Sequence, residues 1–170
     1  MNQRRLLWYL FPSYLIITII ALIAASIYAY YLLSKNYIEV ISKDLESNAR
    51  IVETQVIEDL LNSDYAVIDS LFNLLGDRTD TRFTMILPSG QVVADSEKDP
   101  KLMDSHHDRP EIIEAFKGRI GTSIRYSQTL DTELIYVALP IYSQKSVLCV
   151  IRTSVPLFLI EQTLAQFQTR

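Results

Sequence analysis

The stretch Leu6–Leu33 constrains everything else in this chain. It reads LLWYLFPSYLIITIIALIAASIYAYYLL, and no charged residue occurs between Arg5 and Lys35. A helix rises about 1.5 Å per residue, so roughly 20 apolar residues cross a hydrocarbon core about 30 Å thick. Twenty-eight span it with tilt. In lipid every backbone amide must be bonded internally, and a helix is the only single segment that achieves this. Trp8, Tyr9 and Tyr14 near one end, with Tyr28, Tyr30 and Tyr31 near the other, have the placement of interfacial anchors. The apolar region of a cleaved signal peptide runs only about 7–15 residues. This one continues well past the small-residue stretch Ala24-Ala25-Ser26, so it reads as an uncleaved membrane helix. Pro12 lies in its first turns, where a missing amide donor costs least. Arg4 and Arg5 bias the N-terminus toward the cytoplasm, which places residues 34–170 on the other side.

What remains is one domain's worth of chain, enough for a single core. All 20 acids lie in that part, with all of the 16 bases except Arg4 and Arg5. An acidic domain without a basic stripe argues against nucleic acid as a partner. The single cysteine, Cys149, has no disulfide partner and reads as a buried thiol.

From Ser34 to Gly76 the pattern is helical. Ile38, Ile41, Leu45, Val52, Val56, Leu60, Leu61, Ile68, Phe72 and Leu75 recur in steps of three and four, opposite a charged face. The first half reads as a stalk that pairs with a second copy of itself, and the second half, from about Val56, as packed on the domain. A break is expected near Asn62-Ser63-Asp64. The period then changes to two. Arg82–Leu87 and Gln91–Asp95 form a hairpin about Pro88-Ser89-Gly90, and Ser96–Ser105 is a polar loop. A short helix from about Arg109 to Lys117 has Asp108 and Glu111 at capping-box spacing, Pro110 in its first turn and Gly118 at its end. Thr122–Thr129, Leu134–Tyr142 and Ser146–Val155 read as three more strands. The last two are apolar at nearly every position, the mark of strands covered on both faces. After Pro156, Leu157, Ile160, Leu164 and Phe167 mark a final amphipathic helix.

Catalytic constellations are missing from the sequence. The four glycines stand apart at turns and caps, and no nucleophile occupies an elbow, so neither enzymatic chemistry nor a cofactor is expected. His106-His107 are adjacent, and side chains of neighbouring extended residues diverge, so a metal site is not expected there. The acids Asp95, Glu97, Asp99, Asp104 and Asp108 read as a solvated loop. Alternation in the strand Ser123–Gln128 places Arg125 with Ser123 and Ser127 on one face and Tyr126 on the other. An arginine fork in a half-closed pocket suits a carboxylate or phosphate, and Tyr136 would reach the same pocket. The alternative is that Arg125 pairs with a nearby acid and Tyr136 is core.

The segments FTMILPSGQVVADSEKDP, then His106, Arg109-Pro110-Glu111-Ile112, Gly118, Ile120-Gly121-Thr122-Ser123, Arg125-Tyr126-Ser127, Thr129-Leu130, Tyr136-Val137-Ala138 and Pro140 resemble a known family. It is that of the extracytoplasmic single-Cache, PAS-like sensor domains of bacterial membrane histidine kinases of the phosphate-regulon (PhoR-like) type. The resemblance covers about 83–157, with Ser105 where Asn is expected and His107 where a small residue is usual. It implies an α+β fold: a transmembrane helix, a long stalk helix, about five antiparallel strands with helices on the faces of the sheet, and a C-terminal signalling helix. Ligand contacts would fall at Arg125, Tyr126, Tyr136, His106, Arg109 and Ser127. The implied division is a cytoplasmic 1–5, a membrane helix 6–33, a stalk and domain helix 34–76, a sensor domain 77–156, and 157–170 leading to a second membrane span. The implied setting is a bacterial plasma membrane, with residues 34–170 extracytoplasmic. The implied partners are the lipid bilayer, a second copy of the chain, and a small ligand or extracytoplasmic protein. A chemoreceptor or cyclic-dinucleotide enzyme as output, or a single-span protein whose domain serves only assembly, are the alternatives.

Overall fold

The computed structural model describes residues 3–127, 131–143 and 146–157. The final helix expected from Leu157 onward therefore lies outside the described residues, apart from Leu157 itself. Two compact units divide within the first helix, at Met1–Ile41 and Ser42–Arg170.

Helix α1 (Gln3–Leu61) is continuous. From Phe11 to Leu33 its large apolar side chains are exposed, Phe11 by 70% and Ile20 by 60%. It is the one helix among the described residues long and apolar enough to cross a membrane.

The second unit begins with the remaining turns of α1. Leu45, Ala49, Val52, Val56 and Leu60 are buried, at steps of four and three that make one face. Coverage thus starts at Leu45 rather than at Val56, because the Thr153 hydroxyl donates to the Leu45 carbonyl at 3.0 Å. Leu61, expected on the buried face, is exposed, since the helix stops there and Ser63 turns the chain at φ +59°. Helix α2 (Tyr65–Gly76) follows and buries Ile68 and Phe72.

Five strands form one antiparallel sheet: β1 (Arg82–Ile86), β2 (Val92–Asp95), β3 (Gly121–Ser127), β4 (Thr132–Ser143) and β5 (Ser146–Pro156), in the order β2-β1-β5-β4-β3. Its two faces explain the unbroken apolar runs of β4 and β5. On one face Phe83, Met85, Leu139, Ile141, Cys149 and Ile151 pack against α1 and α2, where the Phe72 and Phe83 rings lie 5.9 Å apart and tilted by 49°. On the other face Ile86, Val92, Ala138 and Val150 pack against Ile112 and Ala115 of α3 (Pro110–Phe116). This is the α+β class that the sequence implied.

Two glycines hold the second face together. Gly90 closes the β1–β2 turn at φ +84°, and a Cβ there would run into Ser105 and His107. Its carbonyl accepts the His106 amide at 2.9 Å. Gly121 lets β3 pass against the α3 backbone, since a Cβ would meet the carbonyl of Glu111.

Candidate functional site

The period of two in a strand gathers the polar residues of four strands on the α3 face of the sheet. Arg82 and Thr84 come from β1, Arg152 and Ser154 from β5, Tyr136 from β4, and Ser123, Arg125 and Ser127 from β3. Antiparallel register sets Thr84 opposite Arg152, Tyr136 opposite Ser154, and Ser123 opposite Tyr136.

Two buried carboxylates organise these cations. Asp95 accepts from Arg82 Nε at 3.0 Å and from the Thr84 hydroxyl at 2.8 Å. It also accepts the amides of Glu97 and Lys98, both at 3.0 Å. Glu111 accepts from the Ser123 hydroxyl at 2.7 Å and from Arg125 Nη2 at 3.0 Å, with Arg152 Nη1 3.5 Å away. Burial alone would raise the Glu111 pKa; hydrogen bonds from Arg125 and Ser123, and the two guanidinium charges, outweigh it and hold the carboxyl below the usual glutamate range. The Tyr136 ring lies 4.0 Å from the Arg125 guanidinium carbon and 5.0 Å from that of Arg152, measured to its centroid. Arg152 is buried completely enough that its pKa falls to about 10.

Above these groups is a cavity of about 130 Å³. All six residues singled out from the sequence line it: His106, Arg109, Arg125, Tyr126, Ser127 and Tyr136. So do Arg82, Lys98, Met103, Asp104 and Arg152. The six are not equivalent. Tyr126 is more than half exposed, and its hydroxyl donates to Asp131, so it contributes rim rather than floor. The cavity holds an excess of positive charge. Arg125 and Arg152 share Glu111, Arg82 takes Asp95 with Glu97 3.8 Å away, and half-exposed Arg109 has the exposed Asp108 at 3.6 Å. Several buried nitrogens have no hydrogen-bond partner: Arg125 Nε, Arg152 Nε and His106 Nδ1. An unpaired buried donor costs about 1–3 kcal/mol, so an acceptor placed beside these guanidinium nitrogens would relieve that cost.

A larger groove of about 640 Å³ runs between α2 and the segment from Gln91 to Lys101. Its carboxylates are engaged locally. Asp69 accepts the Asp95 amide and Asp99 the Lys101 amide.

The sequence reading missed four of the residues that build the smaller cavity. Glu111, taken as a capping-box residue, makes no cap; Arg109 occupies the N-cap without a side-chain bond, and the carboxylate turns inward to the sheet. Asp95, which the sequence places in a solvated loop, is 2% exposed. Arg82 and Arg152 went unremarked within apolar strands. The available signal was a charge inside a strand covered on both faces, since a buried charge must find a partner.

No protein-family profile and no curated protein matches the sequence. Solved structures do. The sensor domain of the V. cholerae histidine kinase DctB aligns over 75% of this chain and 55% of its own length, at 17% identity and a TM-score of 0.56. The ligand-binding domain of the Campylobacter jejuni chemoreceptor Tlp3, in complex with 4-methylisoleucine, aligns over 71% and 56%, at 14% identity and a TM-score of 0.54. The E. coli DcuS sensor domain aligns over 73% of this chain and 97% of its own length, at 14% identity and a TM-score of 0.54. This is a sensor-domain fold. The chain spans little more than half the length of the first two relatives, and at these identities the likeness is one of fold alone.

Proposed function

We propose that this chain is the sensory input module of a bacterial membrane signalling protein and that its ligand is a small anion. One observation carries the ligand class: unpaired nitrogens of Arg125, Arg152 and His106 converge on a small cavity with surplus positive charge. Ligand pockets for larger organic molecules run to about 300–1,000 Å³, so 130 Å³ favours a carboxylate or oxyanion of few atoms. Anchoring by α1 in the plasma membrane, with residues 34–170 extracytoplasmic, is supported by its bare apolar turns and by Arg4 and Arg5. The proposed division keeps 1–5 cytoplasmic, 6–33 in the membrane, 34–76 as stalk and domain helix, 77–156 as sensor and 157–170 as the link onward. Pairing with a second copy through the stalk belongs to the same reading. A ligand shifts such a module only by its differential affinity for two arrangements of the helices.

A histidine kinase of the phosphate-regulon type is the output we favour, from the motifs in 83–157. A chemoreceptor is the second reading, because the Tlp3 ligand-binding domain shares the fold at the same TM-score as DcuS. The test is a melting screen of the full chain in lipid nanodiscs against small carboxylates, phosphate, sulfate and amino acids. An anion should raise the midpoint by several degrees, and Arg109→Ala, at the rim, should weaken that shift. No shift from any anion would refute the ligand class.

A further inference from the structure

Among the described residues that line the cavity, His106 alone combines burial, an unpartnered ring nitrogen and a titration range near neutrality in its ordinary state. We infer that His106 takes up a proton when an anion enters the cavity, so that the site binds an anion and a proton together. The inference rests on the anion reading of the same cavity.

Backbone bonds fix the residue in place. Its amide donates to the Gly90 carbonyl at 2.9 Å and its carbonyl accepts the Arg109 amide at 3.2 Å. The ring shares the cavity with five cations. These are Arg82 of β1, Arg125 of β3, Arg152 of β5, Arg109 before α3, and Lys98 in the loop after β2. The acids nearby are spoken for or peripheral. Asp95 is held by Arg82, and Glu111 by Arg125 and Ser123. Asp104 lies on the loop beside His106, and Tyr126 and Tyr136 line the wall.

A positive charge on the imidazole is therefore opposed twice. Burial comes first, then the fields of Arg152, Arg109, Arg125 and Arg82, and together they push its pKa down to about 3. An anion between the ring and the guanidiniums reverses the sign of the nearest field. Its oxygen also accepts from an imidazolium N–H, which gives the buried Nδ1 a partner. A hydronium or buffer acid gives up its proton to the imidazole, so one donor–H bond breaks as the N–H bond forms and no other covalent bond changes.

Sulfate is the probe, because it keeps its charge throughout the range tested. The experiment is calorimetry on the full chain in nanodiscs at constant ionic strength, at pH 7.5 and 5.5, in two buffers of different ionisation enthalpy. If the bound-state pKa returns to the ordinary histidine value of about 6.5, sulfate binds about tenfold more tightly at pH 5.5, with close to one proton taken up. In His106→Gln the affinity should be flat with pH while sulfate still binds. Binding with no proton uptake in wild type overturns the inference and leaves the anion site standing. So does a slope that persists in His106→Gln, which would put the proton on another group. Failure of wild type to bind sulfate at either pH overturns the inference, and failure of every anion in the melting screen overturns the anion reading as well.

Discussion

The substitution Glu111→Gln removes one negative charge from a side chain with no exposure to solvent, set between Arg125 at 3.0 Å and Arg152 at 3.5 Å. Removing one partner of a buried ion pair costs about 3–5 kcal/mol, because the remaining charge is left uncompensated. Glutamine keeps an acceptor for the Ser123 hydroxyl and one guanidinium, so the loss should sit at the low end, about 3 kcal/mol. With a urea slope of about 1.5 kcal/mol per molar, the unfolding midpoint drops by about 2 M. The assay is urea unfolding of the full chain in nanodiscs, followed by circular dichroism. The sign with pH follows from the depressed folded pKa of Glu111. Its contribution is present above the unfolded value of about 4.3 and is lost as pH falls through the lower folded value, so variant and wild type should converge in acid. Sulfate in place of chloride, at matched ionic strength, should restore more stability to the variant than to wild type, since its cavity holds one more uncompensated positive charge. A loss below about 1 kcal/mol, or equal sulfate effects on both proteins, would refute this account of the charge balance.

Gly121→Ala should push α3 off β3, because the new Cβ meets the Glu111 backbone. We expect a loss of about 2 kcal/mol or more together with weakened sulfate affinity, read by the same melts; a variant with wild-type affinity would show that α3 does not position the site. Cys149 has no exposure, and burial raises its thiol pKa to about 12. It should resist iodoacetamide in the folded chain and react in urea, as intact-mass measurement would show.

Much of the fold was legible because it follows from periodicity. The change from steps of three and four to steps of two, and the unbroken runs LIYVALPIY and SVLCVIRTSV, locate helices and covered strands without reference to anything distant. Alternation likewise placed Arg125 beside Ser123 and apart from Tyr126. The charge network was not legible, for a physical reason. Glu111 stands three residues after Asp108, which satisfies a local capping pattern, and its real partners Ser123 and Arg125 are reached only across the α3–β3 contact. Arg152 donates to Thr84, 68 residues earlier, through a strand pairing that no local pattern specifies. The two readings of Arg125 both turn on that network. It pairs with an acid, and it also lines the cavity.

The strand order β2-β1-β5-β4-β3 has a consequence for biogenesis. The hairpin of β1 and β2 and the pairing of β3 with β4 can each form from chain already synthesised, but they meet only through β5. That strand is the last of the five to leave the ribosome. Until Cys149–Ser154 arrives, the two halves of the sheet share no hydrogen bonds, Thr84 lacks Arg152, and Glu111 lacks one of its two cations. Loop-closure entropy for such distant contacts is met late, so a nascent chain cannot hold a finished cavity before β5 arrives. The cavity is completed in one step, when the central strand closes the sheet.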